Sequence, residues 1–105
     1  MREIKFRAWD ANIEAMSIPF SLSKADMYAD AEVMQFTGLR DRRGKEIYEG
    51  DIVHHYRRDS DGDDVIRTVA VHFDAGSFRC GDWQIGAPID LEVIGNIYEH
   101  PELLK

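Results

Sequence analysis

Cysteine is almost absent from this chain, and apolar runs of membrane length are missing altogether. Cys80 is the single cysteine among 105 residues, so no disulfide can form within the chain. We interpret it as a small, part-buried apolar residue on a strand, because no base and orienting group surround it. No apolar run approaches the ~20 residues that cross a bilayer, and the opening MREIKFRAWD has no signal-peptide core. We therefore expect an intracellular protein without membrane contact.

Positive charge is also scarce. Twenty acidic residues against 13 Lys and Arg give a formal net charge of −7. Most of the excess lies in residues 51–105, with eleven acidic residues and five Lys or Arg, whereas residues 1–50 carry nine and eight. Such a surface repels phosphate backbones, which disfavours direct binding of nucleic acid by the whole domain.

One short segment runs against this acidic balance. Four cations occupy six positions, namely Arg40, Arg42, Arg43 and Lys45. We interpret the segment as a solvated turn, and we leave open a contact with an anion or an acidic partner.

The strand pattern favours a single small β domain. Ile4, Phe6 and Ala8 alternate with polar or larger residues, which is typical of a strand with one apolar face. The strongest strand prediction covers Val65 to Phe73, where β-branched residues share one parity. Short strands recur between turn signals, as in small barrels or sandwiches. We expect one mainly β domain over residues 1–105, all-β or α+β, built from short antiparallel strands with at most one or two short helices.

Several segments carry more specific expectations. Ser21–Ala31 suits either a short helix or an ordered loop. LEVIGNIY, residues 91–98, is apolar on both parities and predicts a central strand, with a bulge or bend at Gly95. Gly81-Asp82 predicts a turn, and Pro101–Leu104 predicts a terminal helical turn.

The glycine-rich stretch FTGLRDRRGKEIYEGDIVHHY, residues 36–56, raises the question of a nucleotide site. A phosphate loop needs four residues between its first glycine and Gly-Lys, then Ser or Thr. Here five residues separate Gly38 from Gly44, and Glu46 stands where the hydroxyl belongs. Residues 47–50 cannot supply the long helix that follows such a loop. The pattern therefore argues against nucleotide binding.

Two chain reversals explain the same residues. Asp41-Arg42-Arg43-Gly44 has the composition of a four-residue turn, with an aspartate that can accept a backbone N–H and a final glycine. Gly50-Asp51 predicts a second turn before the strand that begins with Ile52. The predicted turn residues are Gly38, Asp41, Gly44, Gly50 and Asp51.

Metal-binding patterns are incomplete. Three aspartates match the first, third and fifth positions of an EF-hand loop, namely Asp59, Asp61 and Asp63. Asp64 stands where that loop needs glycine, so we interpret the segment as a solvated hairpin loop centred on Asp61-Gly62. His54 and His55 point to opposite faces of a strand and cannot share a metal. We predict no catalytic residue, no cofactor and no metal site.

Three blocks of the sequence resemble the YopX family of bacteriophage and prophage proteins. They are IKFRAWD, MQFTGLRDRRGKEIYEGDIV and LEVIGNIYEHPELL, in that order, and the middle block is the most specific. His100 stands where the family more often has asparagine, whereas residues 12–30 and 56–90 show no recognisable pattern. The resemblance implies a small, mainly β, phage-encoded and often oligomeric protein, with no catalytic residues to carry over.

These observations favour a non-enzymatic protein-interaction or scaffold module that forms homo-oligomers or binds an unknown phage or host protein. The candidate interface residues are Trp9, Ile47, Tyr48, Leu103 and Leu104. An alternative is an acidic modulator of host or phage nucleic-acid-handling proteins, acting through residues 51–105. A further alternative is direct nucleic-acid contact through the turn at residues 40–45, and an enzyme has the least support.

Overall fold

The computed structural model describes residues 4–81, 83–85 and 90–105 and consists mainly of antiparallel strands. The strands are β1 (Phe6–Asp10), β2 (Ala15–Met16), β3 (Glu32–Arg40), β4 (Glu46–Tyr48), β5 (Asp51–Arg58), β6 (Asp64–Asp74), β7 (Ser77–Cys80), β8 (Trp83–Gln84) and β9 (Leu91–Asn96). An N-terminal 3-10 helix covers Leu22–Tyr28, and a C-terminal 3-10 helix covers Pro101–Leu104. The expected mainly β fold with short helices is confirmed. The turn predicted at Gly81-Asp82 includes Asp82, which lies outside the described residues.

The strands form two sheets. The first sheet has the order β2-β1-β3-β4, and the second has the order β8-β7-β6-β5-β9. The longest ladder joins β5 to β6, from the Ile52–Ala70 pair to the Arg58–Asp64 pair. The strand predicted for residues 65–73 is confirmed, since β6 contains all of it. This hairpin is the frame on which the second sheet is built.

The core lies on the inner face of the second sheet. Its fully buried members are Ile47, Val53, Val71, Cys80 and Leu91. Ile47 comes from the three-residue strand β4 of the first sheet, whereas the others come from β5, β6, β7 and β9. Burying an aliphatic side chain of this size contributes about 1.5–3 kcal/mol. Strand β4 is therefore short but central, and Cys80 is an apolar core residue.

Strand β9 is an edge strand, so its prediction as a central strand is wrong. Among the described strands, it pairs with β5 alone. The pairs Ile52–Gly95 and Val53–Val93 leave Ile94 as an extra residue, which confirms a bulge beside Gly95. Apolar residues occur on both faces of β9 because Leu91 enters the core while Gly95 lies against the C-terminal 3-10 helix.

Gly38 lies inside a strand, so its prediction as a turn residue is wrong. It has φ +89° in the middle of β3, between the Phe36–Tyr48 and Arg40–Glu46 pairs, where the register shifts. The positive φ is the property that required glycine, but it serves a bulge. Gly44 and Gly50 have φ +84° and +83° and lie at the predicted reversals.

Candidate functional site

The basic turn between β3 and β4 is fixed by the carboxylate of Asp41. One oxygen accepts the backbone N–H groups of Arg43 and Lys45, both at 2.9 Å, and the other accepts Val93 N–H at 2.8 Å. The turn also closes through a bond from Gly44 N–H to the Asp41 carbonyl. Burial alone would raise the pKa of Asp41, but these donors and the nearby Lys45 charge outweigh it and lower the pKa. The predicted turn therefore also attaches the first sheet to edge strand β9.

Most of the cations in this turn are engaged by groups of the protein itself. Arg43 forms an ion pair with Glu92 at 3.1 Å, and Arg40 pairs with Glu46 at 3.5 Å. The Arg42 guanidinium lies 4.2 Å from the centroid of the Tyr56 ring. Carboxylates therefore balance the charges of Arg40 and Arg43, and Arg42 lies against an aromatic ring, which weakens the case for the turn as a nucleic-acid contact.

The residues after Gly44 form a strand. Lys45 leads directly into β4 (Glu46–Tyr48), and Gly50 follows two residues after this strand ends. A phosphate loop needs a helix whose first N–H groups hold the phosphates. The local fold therefore has no anion-binding helix end at Gly44.

A buried ion pair joins the two sheets beneath the second predicted turn. Arg7 of β1 donates to the Asp51 carboxylate at 2.6 Å, and Asp51 also accepts Tyr48 N–H at 2.7 Å. The side chains are 12% and 2% exposed. Burial raises the pKa of Asp51 despite the Arg7 charge, and burial with the nearby Glu46 raises that of Tyr48. Asp51 is therefore an interior residue that locks the Gly50 reversal.

Three of the predicted interface residues are buried, so their assignment to an interface is wrong. Ile47 is 0% exposed, Tyr48 4% and Trp9 9%. Ile47 and Tyr48 point to opposite faces of β4, yet both are covered. Ile47 enters the core of the second sheet, whereas the Tyr48 ring packs against Phe36 and the Arg7 guanidinium. Leu103 and Leu104 remain accessible at 36% and 45%.

The most exposed apolar surface lies elsewhere, in a segment where the sequence patterns were weak. Ile18 is 79% exposed and Met27 is 74% exposed, and both line a groove of about 410 Å³. The groove also includes Pro19, Phe20 and Tyr28, with Ser21 and Lys24 at its polar side. No residue of the N-terminal 3-10 helix is buried. We call these residues the apolar groove.

Sequence reasoning missed this groove because it assigned Ser21–Ala31 only as a short helix or an ordered loop and predicted no surface there. The available signal was the adjacent Pro19 and the absence of a helical period long enough to bury both Leu22 and Met27. Leu22 is 67% exposed, which agrees with that signal.

A second unassigned cluster lies on the inner face of the second sheet, beyond the core. The half-exposed Trp83 ring has the Arg57 guanidinium 4.3 Å and the Arg67 guanidinium 5.8 Å from its centroid. His55 meets the same ring edge-on at 5.7 Å. Burial, assisted by the Arg57 charge, lowers the pKa of His55. We call Arg57, Trp83 and Arg67 the Arg–Trp–Arg cluster.

The acidic segment after β5 forms the predicted hairpin loop. The Asp59 carboxylate accepts the N–H groups of Asp61 and Asp63, both at 2.9 Å. Gly62 has φ +84°, as a reversal at this position requires. The loop is exposed over residues 60–64, whereas Asp59 is partly buried.

Two features are absent from the described residues. Within residues 4–81, 83–85 and 90–105, no three His, Cys, Asp or Glu side chains group together as metal ligands would. In the same part of the chain, no helix has the length and apolar character to cross a membrane.

Comparison with known proteins identifies a family and a similar fold. The sequence profile of the YopX protein family matches residues 12–105, which confirms the family resemblance and includes the second and third of the three sequence blocks. The crystal structure of protein EF1440 from Enterococcus faecalis superposes with a TM-score of 0.71, covering 100% of both chains at 22% identity. At this identity the similarity shows a shared fold. No curated protein matches the chain.

Proposed function

The chain belongs to the YopX family, and from this premise we propose that it is a non-enzymatic interaction module that forms homo-oligomers through its apolar groove. The observation that carries the proposal is the exposure of Ile18 and Met27 at 79% and 74% around one depression. Exposed apolar clusters of this kind mark contact surfaces in soluble proteins. A phage or prophage origin, with action in the bacterial cytoplasm, is part of the proposal.

A second copy is the cover that fits the groove best. Of its seven lining residues only Lys24 is charged, so an equivalent surface can approach it with little desolvation of charge. A two-fold contact would bury the equivalent apolar residues of both copies against each other. Such a contact gains from apolar burial and depends little on salt.

Light scattering after size-exclusion chromatography tests the proposal. We expect the wild-type chain to be dimeric or larger at micromolar concentration. The variant Ile18→Ser/Met27→Ser should have a lower average mass in solution. Its circular dichroism spectrum should be unchanged because both residues are exposed. The matched control Ile66→Ser removes an apolar residue that is 57% exposed outside the groove, and it should behave as wild type. A strictly monomeric wild type, or a groove variant that associates as strongly as wild type, would refute the proposal.

The acidic hairpin loop supports a second candidate function, as a modulator of host or phage nucleic-acid-handling proteins. Three of its four aspartates are exposed, namely Asp61, Asp63 and Asp64, and could enter a basic groove of such a protein. Capture from bacterial lysate at low and high salt tests this candidate. It predicts salt-sensitive capture of DNA- or RNA-handling proteins that is lost in Asp61→Asn/Asp63→Asn. Capture that does not depend on these residues would rule it out.

A further inference from the structure

We propose that the Arg–Trp–Arg cluster is a docking site for the acidic hairpin loop, residues 59–64, of a second copy of this chain. The proposal extends the self-association above to a second surface. This surface differs from the apolar groove in its position and in the type of interaction, which is ionic and not hydrophobic.

Strand register places the two arginines of the cluster on one face. Arg67 lies directly opposite His55 across the β5–β6 ladder, and Arg57 lies opposite Val65. Cross-strand partners point to the same side of a sheet, and residues two apart on a strand do so as well. Trp83 on β8 contacts both guanidinium groups from this side. The aromatic ring therefore orients two cations toward one region.

Neither arginine has an anionic partner among the described residues. This distinguishes them from Arg7, Arg40, Arg43 and Arg58, each of which forms an ion pair with a carboxylate. Asp90 and His55 line an adjoining cavity of about 220 Å³ beside Trp83, but Asp90 forms no ion pair with Arg57 or Arg67. The chain has 20 acidic residues and 13 Lys and Arg. Two guanidinium groups without an anionic partner in the described part of the chain, both within 6 Å of the Trp83 ring centroid, thus form a preorganised site for carboxylates.

The hairpin loop supplies the complementary charges. Asp59 is occupied in holding the loop through the N–H groups of Asp61 and Asp63. Asp64 pairs with Arg58 at 3.5 Å. The carboxylates of Asp61 and Asp63 are exposed and have no cationic partner in the described part of the chain. Two free carboxylates on a rigid loop match two free guanidinium groups.

The loop must come from another copy. Arg57 lies within the β5–β6 ladder, whose last pair is Arg58 with Asp64, and the loop extends beyond that end. The loop of the same copy could reach back to Arg57 only if the terminal pairs of the ladder opened. A two-fold arrangement instead places each loop against the cluster of the other copy, so the contact is made twice.

Net charge does not prevent this contact at physiological ionic strength. Charges separated by more than about 8 Å are largely screened there, whereas close ion pairs persist. The long-range repulsion between two chains of charge −7 is thereby reduced. High salt should weaken the close pairs, in contrast with the apolar groove.

A charge-exchange experiment tests the proposal in the full chain carrying Ile18→Ser/Met27→Ser, so that the groove does not contribute. One variant adds Arg57→Glu/Arg67→Glu, and the other adds Asp61→Arg/Asp63→Arg. Sedimentation velocity at physiological and at high salt measures association of the parent, of each variant and of their equimolar mixture. Circular dichroism and urea unfolding confirm that each variant folds. Arg57→Gln/Arg67→Gln replaces the first variant if it does not.

The expected result is that the parent associates, that each variant alone associates at least about tenfold more weakly, and that the mixture restores association. High salt should weaken the parent and the mixture alike. The proposal is overturned if the parent with its groove removed is monomeric, or if mixing restores nothing. It is also overturned if labelled single-stranded oligonucleotide binds Arg57 and Arg67 while the copies stay apart. A different result would refute the groove proposal: wild type and the Ile18→Ser/Met27→Ser parent would then associate equally strongly.

Discussion

Asp41 connects three segments of the chain through one carboxylate. Two of its contacts are local, to Arg43 and Lys45, and the third reaches Val93 on edge strand β9. The local contacts could be predicted because an aspartate at the first position of a turn commonly accepts nearby N–H groups. The contact with Val93 could not, since it spans 52 residues and depends on how the sheets meet.

We expect Asp41→Asn to lower the free energy of unfolding by about 2–3 kcal/mol. The amide would turn a donor toward a backbone N–H and remove a charge-assisted bond. Urea unfolding measures the change, with Asp74→Asn at an exposed position as the control, which should stay within about 0.5 kcal/mol of wild type. A loss for Asp41→Asn no larger than that of the control would contradict the role given to Asp41.

The difference in stability between wild type and Asp41→Asn should depend on pH. The folded protein lowers the pKa of Asp41 below its ordinary value of 3.8. A depressed carboxyl pKa contributes stability above the unfolded-state pKa, and that stability is lost as the pH falls through the folded-state pKa. The advantage of wild type over Asp41→Asn should therefore be full at neutral pH and shrink below about pH 4. An advantage that stays constant down to strongly acidic pH would exclude this mechanism.

The buried Arg7–Asp51 pair predicts a non-additive pair of substitutions. Arg7→Met leaves an uncompensated carboxylate in the interior and should cost about 3–5 kcal/mol. Adding Asp51→Asn removes that charge, so the double variant should be more stable than Arg7→Met alone. Unfolding free energies of the two single variants and the double variant provide the test. Additive losses would show that the two side chains act independently.

At the scale of elements, the sequence predicts a strand correctly where the strand's own residues carry a strong β pattern. Strand β6 is long and rich in β-branched residues, so its pattern predicted it correctly. Strand β9 was misplaced because two-sided apolarity in a sequence does not distinguish a central strand from an edge strand covered by a helix. The burial of Tyr48 also depended on neighbours, since β4 has only three residues. Pairing order is decided by distant segments, and a single sequence leaves it open.

Gly95 shows how tightly the C-terminal 3-10 helix covers β9. A Cβ at this position would lie 2.8 Å from His100 Nδ1 and 2.9 Å from Leu103 Cδ1. Gly95→Ala should therefore destabilise the protein by about 1–3 kcal/mol and displace this helix. Adding Leu103→Ala to Gly95→Ala should cost less than Leu103→Ala costs in the wild type, because the alanine relieves part of the crowding. Thermal unfolding of the four proteins tests this, and fully additive losses would contradict it.

At the scale of the whole molecule, the described residues place apolar and charged features on separate surfaces. The apolar groove lies with the N-terminal 3-10 helix, and the Arg–Trp–Arg cluster lies on the second sheet. Neither surface followed from the sequence, because each combines segments that are adjacent only after folding. The sequence did indicate the absence of recognisable catalytic motifs, and this absence directs attention to surfaces.

The most direct test of the account is disulfide crosslinking through an introduced cysteine. Cys80 is the only native cysteine and is 2% exposed, so it should stay unreactive in the folded protein. Met27→Cys places a thiol in the apolar groove, and Leu104→Cys places one on the C-terminal 3-10 helix as a matched exposed control. Mild oxidation at micromolar concentration should give a crosslinked dimer for Met27→Cys and little for Leu104→Cys. Crosslinking of Leu104→Cys with none for Met27→Cys would contradict the assignment of the groove as the contact between copies.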